Sequence, residues 1–163
     1  MALGEMSGQI FISHRREESQ WSAKSLYDRL CRDFDPKQIL MDVDSIALDA
    51  DYIKAIEKTV AGCDLLIALI GNNWLSSKDE QGGRRLDNPE DFVRVEIGTA
   101  LKRDILVIPV LVDGASMPRS TDLPEDLKSL SRRNALRITD TSFDGDCPRQ
   151  KNFLANNSIT VEI

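Results

Sequence analysis

The sequence predicts a single α/β domain, a doubly wound, five-stranded parallel sheet flanked by helices. Short apolar segments alternate along the chain with segments whose apolar residues recur at helical spacing, and this alternation is typical of parallel strands joined by crossover helices. The central segment 65–70 is apolar at every position, as expected for a strand that is buried on both faces of a parallel sheet. The length of 163 residues is that of one ordinary domain, which can bury a core without disulfides or metal.

Two strands and two helices are predicted before that central strand in the sequence. Residues 9–12 form a short apolar strand, and a helix follows over about 19–34, because apolar side chains recur there every three or four positions. An Asp-Pro pair ends this helix, and residues 38–41 form the second strand. A polar loop between Asp42 and Asp49 then leads to an amphipathic helix, whose apolar positions are Tyr52, Ile53, Ile56 and Val60.

A third helix is predicted after the central strand. The long polar loop 71–87 leads to Asn88 and Pro89, which have the N-cap and first-turn proline of a helix start, and Glu90 and Asp91 supply acidic residues for the first turn. The apolar positions of this helix are Phe92, Val93, Ile97, Ala100 and Leu101.

The last elements are a buried strand over 105–112, a short helix over 125–130 and a final strand over 135–138. Pro109 cannot donate a ladder hydrogen bond, so an edge position or a bulge is predicted there. The predicted boundaries are an N-terminal extension over 1–8, one domain over 9–140, and a C-terminal segment over 141–163, which the sequence leaves open between a small helix, an added strand and a tail.

Composition excludes several classes of function. The net charge of −6 gives no general attraction to nucleic acid or to an anionic membrane surface, so neither partner is expected. A signal-peptide pattern and an apolar stretch of membrane-spanning length are both missing from the sequence, and a cytoplasmic protein is expected. The cysteines, Cys31, Cys63 and Cys147, are widely spaced and His14 is the single histidine, so no metal site is expected and a catalytic Cys–His pair is the weaker reading.

A ligand site is expected where the strand order of the sheet reverses. In open parallel sheets, ligands bind beyond the carboxyl ends of the strands at this point, which lies between the first and third strands in the common flavodoxin-like order. The loop after the first strand carries Ser13, His14, Arg15 and Arg16, and the loop after the third carries Trp74. The expected rim is therefore polar, with arginines and an indole.

Glu96 is the residue that packing explains least well. It lies one turn after Phe92 and beside the apolar stripe of the third helix, so part of it should approach the core. Since an unpaired buried charge is strongly unfavourable, its carboxylate is either solvated at the edge of the helix or placed there for chemistry. The pattern alone favours the solvated alternative.

Four segments match, in order, the motifs of one known family. Residues 10–16 have the sequence Ile-Phe-Ile-Ser-His-Arg-Arg, and residues 40–46 have Leu-Met-Asp-Val-Asp-Ser-Ile. Residues 63–70, Cys-Asp-Leu-Leu-Ile-Ala-Leu-Ile, precede a Trp-Leu pair, and residues 92–97 are Phe-Val-Arg-Val-Glu-Ile. Each motif alone is weak, but the four together, in this order and spacing, resemble the Toll/interleukin-1 receptor (TIR) domain, in particular its bacterial-type members that cleave NAD+.

The resemblance implies a set of site residues. Glu96 takes the place of the catalytic glutamate of NAD-cleaving members, and the substrate-binding positions are Ser13, Arg15, Arg16, Asp44, Ser45, Trp74 and Phe92. Phe92 stands where those members commonly have tryptophan, so an aromatic face is kept and the indole donor is lost. NAD+ is then the substrate, and no separate cofactor is implied.

A single carboxylate is enough for this chemistry, because nicotinamide leaves NAD+ from a cationic pyridinium and needs no general acid. Glu96 would stabilise the oxocarbenium-like transition state, and capture of the sugar by water or by the adenine base would give ADP-ribose or a cyclic ADP-ribose. The sequence does not choose between the two products. The resemblance further implies a role in immune or antiphage defence, activation by self-association through the loop between Asp42 and Asp49, and a separate sensor or effector partner.

Other interpretations remain open at this point. The main alternative is a non-enzymatic scaffold that recruits other TIR domains through the same loop. Arg15 and Arg16 could be solvated surface charges, and Trp74 is about as well explained by packing as by stacking. A response-regulator receiver shares the topology but lacks its acidic residues here, whereas an enzyme similar to nucleoside deoxyribosyltransferases also uses a glutamate on a related fold.

Overall fold

The computed structural model describes residues 8–41 and 51–138, without the side chains of residues 16–19. Strands and helices alternate along the described chain, as the sequence predicts. The strands are β1 (Ile10–Ser13), β2 (Ile39–Leu40), β3 (Leu65–Ile70), β4 (Leu106–Val112) and β5 (Leu136–Ile138). The helices are α1 (Arg16–Leu30), α2 (Tyr52–Ala61) and α3 (Phe92–Lys102), with 3-10 segments at Pro36–Gln38, Arg85–Asp87, Ser120–Asp122 and Glu125–Arg132.

The strands form one parallel sheet in the order β2-β1-β3-β4-β5. The predicted fold class, a five-stranded doubly wound parallel sheet, is confirmed. The order reverses between β1 and β3, which pair from Ile10 with Leu65 to Ser13 with Ala68. The carboxyl ends of these two strands therefore border the crevice in which a ligand site is expected.

Hydrophobic cores cover both faces of the sheet. Alternate residues of β3 belong to different cores: Leu66, Ala68 and Ile70 pack with α2 and α3, whereas Leu65, Ile67 and Leu69 pack on the face covered by α1. Every side chain of β3 is buried, as the unbroken apolar run predicts. Truncation of one of the leucines of β3 to alanine would lower the free energy of unfolding by about 2–5 kcal/mol. The loops that follow β1 and β3 therefore begin from a well-packed part of the sheet.

Pro109 lies on an interior strand without a bulge, so β4 is not an edge strand, but Pro109 itself is not fully hydrogen-bonded on both sides, as the sequence predicts. This strand lies between β3 and β5, and its register with β3 runs from Leu106 to Leu111 without an extra residue. The physical reason is local. Since β5 pairs only from Val110 onward, Pro109 has a neighbouring strand on one side only, where a missing donor can be tolerated.

The start of α3 also differs from the prediction. Asn88 does not cap the helix; its side-chain oxygen accepts from the Glu90 amide at 2.9 Å, and its carbonyl accepts from the Asp91 amide at 3.0 Å, which forms a turn. Asp91 is the N-cap, with extended backbone angles and a side chain that accepts from the Arg94 amide at 3.1 Å. Both residues have cap-type side chains, and the turn at Asn88 moves the helix start to Phe92.

Other boundaries shift by a few residues. The first helix begins at Arg16 rather than near residue 19 and ends at Leu30, although Phe34 remains buried beyond its end. The short helix predicted over 125–130 is a 3-10 helix that extends over Glu125–Arg132. The predictions for the loop between Asp42 and Asp49, and for residues 141–163, lie outside the described residues.

Candidate active site

Glu96 is buried and faces the end of the first strand. Its exposed fraction is 5%, and the Ser13 hydroxyl donates to Glu96 Oε1 at 2.7 Å. Ser13 is the last residue of β1 and is 1% exposed. Because Val93, Ile97 and Ala100 turn the same side of α3 toward the core, the carboxylate is carried inward to the end of β1. Of the two sequence interpretations, the solvated helix edge is wrong.

Burial of this carboxylate has an energetic consequence. A charged side chain loses several kcal/mol of hydration on burial, on the order of what a few hydrogen bonds restore. A hydrogen bond to a charged group contributes about 1.5–3 kcal/mol, so the Ser13 hydroxyl offsets part of the loss. An apolar residue at position 96 would avoid this loss of hydration.

Arg15 makes a second contact between the loop after β1 and α3. Its two terminal nitrogens donate to the two carboxylate oxygens of Asp91 at 2.6 and 2.9 Å. The side chains of Arg15 and Asp91 are 4% and 5% exposed. The interpretation of Arg15 as a solvated surface charge is therefore wrong, and its guanidinium is already engaged by a protein carboxylate.

An exposed aromatic pair lies at the starts of α2 and α3. The rings of Tyr52 and Phe92 stack with centroids 4.7 Å apart, and each residue keeps more than a third of its surface exposed. The Tyr52 hydroxyl donates to the carbonyl of Glu90 at 3.0 Å. Burial and the nearby acidic residues raise the pKa of this phenol, so it stays a neutral donor at physiological pH. Because Phe92 lies one turn before Glu96, its ring is a surface on which a planar group above the carboxylate could stack.

Trp74 packs in the core. It is fully buried among the side chains of the α2 and α3 face, including Leu86 and Val93. The sequence left open whether Trp74 packs in the core or stacks on a ligand. The structure favours packing, since no face of the indole is exposed for stacking. The Trp74 Nε1 has no hydrogen-bond partner within the described part of the chain.

The remaining predicted site residues are only partly described. The backbone of Arg16 begins α1, but its side chain lies outside the described residues, as do Asp44 and Ser45. His14 is half-buried between Ser13 and Arg15. No group of three metal-ligating side chains occurs within residues 8–41 and 51–138, and none of the helices described there is long and apolar enough to cross a membrane.

A groove of about 540 Å³ lies along the other face of α3, between α2 and the segment Glu125–Arg132. Arg94, Gly98 and Lys102 line it from α3, whereas Glu96 is not among its lining residues. Arg94 is held there by Asp126, whose carboxylate oxygens lie 3.1 and 3.2 Å from the guanidinium Nε. The two faces of α3 therefore carry separate polar groups.

Sequence reasoning missed two residues of this site. Asp91 appeared only as an acidic first-turn residue, and Tyr52 only as an apolar position. The signal for Asp91 was an aspartate directly before the apolar stretch that begins at Phe92, which suits an N-cap, but its partner Arg15 is 76 positions away in the chain. Tyr52 is likewise separated from the Glu90 carbonyl by 38 positions.

Comparison with known proteins identifies the family. The family model described as TIR domain matches residues 10–149. The chain belongs to the TIR domain family. This confirms that the four motifs, two of which contain Ser13 and Glu96, are those of a TIR domain. No curated protein matches the sequence significantly.

Solved structures with this fold share little sequence with this TIR domain. The TIR domains of the activated Roq1 resistosome, which directly recognises the pathogen effector XopQ, match with a TM-score of 0.58 and 11% identity over 91% of this chain and 98% of that one. A metazoan TIR-STING receptor from C. gigas in complex with 2',3'-cGAMP matches with a TM-score of 0.56 and 15% identity over 85% of this chain, which spans only 38% of that receptor. Clostridium botulinum CMP N-glycosidase, BcmB, gives a TM-score of 0.47 and 17% identity over 90% of this chain and 99% of that one.

Proposed function

We propose that this TIR domain hydrolyses NAD+ at the bond between nicotinamide and ribose, with the Glu96 carboxylate as the catalytic group. One observation carries the proposal: a carboxylate that is 5% exposed is held by the Ser13 hydroxyl at the end of β1, where the strand order of the sheet reverses. Ligands of open parallel sheets bind in a crevice at this point, and a buried carboxylate there is suited to stabilise developing positive charge.

The reaction needs little else from the protein. The glycosidic bond from the ribose anomeric carbon to the pyridinium nitrogen breaks, and its electron pair leaves with nicotinamide, which departs neutral. The ribose becomes oxocarbenium-like, and the negative charge of Glu96 stabilises it. A water oxygen then bonds to the anomeric carbon and releases its proton, which gives ADP-ribose. Capture by a nitrogen of the substrate's own adenine would instead give a cyclic ADP-ribose.

The described side chains divide into two roles in this mechanism. Phe92, with Tyr52 stacked behind it, offers an exposed ring for the nicotinamide or the adenine of the substrate. Ser13 orients the carboxylate, and Arg15 binds Asp91, so neither needs to touch the substrate itself. Arg16, Asp44 and Ser45 are proposed as substrate contacts on the resemblance alone.

The proposal includes assembly. We place the protein in the cytoplasm, in an immune or antiphage response, and expect activation by self-association through the loop between Asp42 and Asp49, with a separate sensor or effector partner supplying the signal. The rate per molecule should therefore rise with protein concentration, because an assembled form is the active one.

Nicotinamide release from NAD+ tests the function directly. Purified protein is incubated with NAD+ over a wide range of protein concentrations, and free nicotinamide and the sugar product are identified by chromatography and mass spectrometry. We expect turnover by the native chain and its loss in Glu96→Gln, which keeps the size of the side chain and an oxygen for Ser13 but removes the charge. Glu57→Gln, an exposed carboxylate on α2, is the matched control and should keep full activity.

Two outcomes would contradict the proposal. If no nicotinamide forms at any concentration, the chain is better explained as the non-enzymatic scaffold. If Glu96→Gln and Glu57→Gln retain equal activity, another group carries the reaction. Free nucleosides in the same assay test the alternative N-glycosidase substrate, since release of base from them and not from NAD+ would change the substrate class.

A further inference from the structure

We infer that the ion pair between Arg15 and Asp91 is a clasp that fixes the position of Glu96, and that Asp91 is a positioning residue for the reaction. The inference rests on the proposed function. It assigns to Arg15 a protein partner instead of the substrate contact that the resemblance implies. The clasp consists of the Arg15 guanidinium and the Asp91 carboxylate.

The carboxylate of Asp91 joins two elements at once. Arg15 donates to both of its oxygens, at 2.6 and 2.9 Å, in the two-pronged geometry that only arginine offers. The second oxygen also accepts from the Arg94 amide at 3.1 Å, as the N-cap of α3. The first turn of α3 is thereby tied to the loop that leaves β1.

The clasp and the Ser13 hydrogen bond together fix α3 at two points. Ser13, the last residue of β1, and Arg15, in the loop that follows it, are two positions apart, and their partners are Glu96 in α3 and, five positions earlier, its N-cap Asp91. Apolar contacts of Val93 and Ile97 already hold α3 against the core, and the polar contacts at Asp91 and Glu96 add a defined distance and orientation relative to the end of β1. Catalysis by a charge depends on such placement, because a displacement of about 1 Å can cost about 100-fold in rate.

Stability alone does not account for the clasp. A buried ion pair roughly balances its attraction against lost hydration, and apolar residues of similar volume often stabilise a fold as well or better. The pair nevertheless has a geometry that apolar packing lacks, since it fixes both distance and orientation. The clasp therefore serves the accuracy of the site beside it more than the free energy of unfolding.

Asp91→Asn separates the clasp from the helix cap. Asparagine caps a helix about as well as aspartate, so α3 keeps its start, while the charge and one acceptor oxygen are lost. We expect kcat for NAD+ to fall about 10- to 100-fold with KM changed by less than about threefold, because the substrate surface is intact and the carboxylate is misplaced. Arg15→Lys keeps the charge but not the two-pronged contact, so its kcat for NAD+ should also be lower than that of the native chain.

Asp126→Asn is the matched control. It removes an ion pair to the same helix through Arg94, on the groove face away from Glu96. We expect kcat and KM of this variant to equal those of the native chain within about twofold, since an ion pair whose aspartate side chain is 52% exposed contributes little. All variants are assayed well below their melting temperatures, with circular dichroism to show that they are folded.

Hydrogen exchange gives a readout that does not depend on turnover. In Asp91→Asn, hydrogen exchange should be faster than in the native chain at the amides of the first two turns of α3 and of the loop after β1. In Asp126→Asn, the exchange rates of these amides should equal those of the native chain. Equal exchange in the native chain and Asp91→Asn, or kcat of folded Asp91→Asn within twofold of native, would overturn the clasp. A rise in KM with kcat unchanged in Asp91→Asn and Arg15→Lys would overturn it too, because Arg15 would then be a substrate contact. If the native chain releases no nicotinamide but the exchange difference is present, the proposed function fails and the clasp stands as a structural tie.

Discussion

Removal of the Ser13 hydroxyl tests whether Glu96 acts from an ordered position. Ser13→Ala deletes one donor, at 2.7 Å, from a carboxylate that is 5% exposed, and changes nothing else in the side chain. A hydrogen bond to a charged group is worth about 1.5–3 kcal/mol, and each 1.4 kcal/mol corresponds to about tenfold in rate. If that energy serves to orient the carboxylate, kcat should fall by about 10- to 100-fold.

The KM for NAD+ should stay within about threefold of the native value, because Ser13 touches the catalytic group and not the substrate. Steady-state release of nicotinamide measures both constants. Ser13→Cys, with a similar shape and a weaker donor, should lie between the native chain and Ser13→Ala. Ser25→Ala, an exposed serine on α1, controls for the loss of a hydroxyl as such.

The reasoning would be refuted by a folded Ser13→Ala whose kcat lies within twofold of native, since the hydrogen bond would then have no part in placing Glu96. It would also be refuted by a large rise in KM with kcat unchanged, which would make Ser13 a substrate contact. The three chains, native, Ser13→Cys and Ser13→Ala, separate these results from a general loss of structure. A loss of structure would lower the melting temperatures of both variants, but kcat would not decrease in the order native, cysteine, alanine.

Two further predictions concern the aromatic rim and the buried thiol. Phe92→Ala should raise KM for NAD+ by about tenfold or more, since stacking of a base on an aromatic ring is worth about 1–3 kcal/mol, while Phe92→Trp should keep KM within about threefold; equal KM for native and alanine chains would exclude the stacking role. Burial, and next the charge of Asp64, raise the pKa of the Cys63 thiol to about 12. The folded state therefore holds this proton more tightly than the unfolded chain, so the contribution of Cys63 to stability is present below the ordinary thiol pKa and is lost as pH rises from that value toward 12. Urea unfolding between pH 8 and 10.5 should show a steeper loss of stability for the native chain than for Cys63→Ala, and a thiol reagent at pH 8 should label Cys63 only in the unfolded chain; rapid labelling of the folded chain would contradict the assignment.

The sheet was predictable because its signals are local. The unbroken apolar run of β3 predicts a strand with both faces buried, and the alternation of strands and helices predicts parallel crossovers, so the strand order follows with few alternatives. The start of α2 is also set locally, although no cap was assigned to it from the sequence, since the Asp51 side chain accepts from the amides of Ile53 and Lys54. Local rules failed where a neighbour decided the outcome, as at Pro109, whose tolerance depends on where β5 begins.

The polar contacts of the candidate site also depend on residues that are distant in the sequence. Ser13 and Glu96 are 83 positions apart, and helical periodicity places Glu96 only at the boundary of the apolar stripe. Whether a boundary carboxylate points to solvent or inward depends on the donor that meets it, and nothing near it in the sequence reports that donor. The same holds for Arg15, which looks like a surface charge until Asp91 is known to face it.

These contacts share a feature that bears on function. Ser13 ends a strand whose other residues are apolar, and Glu96 interrupts the buried side of α3, so each puts a polar group where the apolar pattern calls for core. Sequences are mostly consistent across local and global preferences, and departures concentrate where function requires them. A domain that served only as a scaffold could bury leucine or methionine at position 96 and avoid the loss of hydration. The buried carboxylate thus loses hydration that an apolar residue would not lose, and charge stabilisation beside the end of β1 is a physical advantage that can offset this loss.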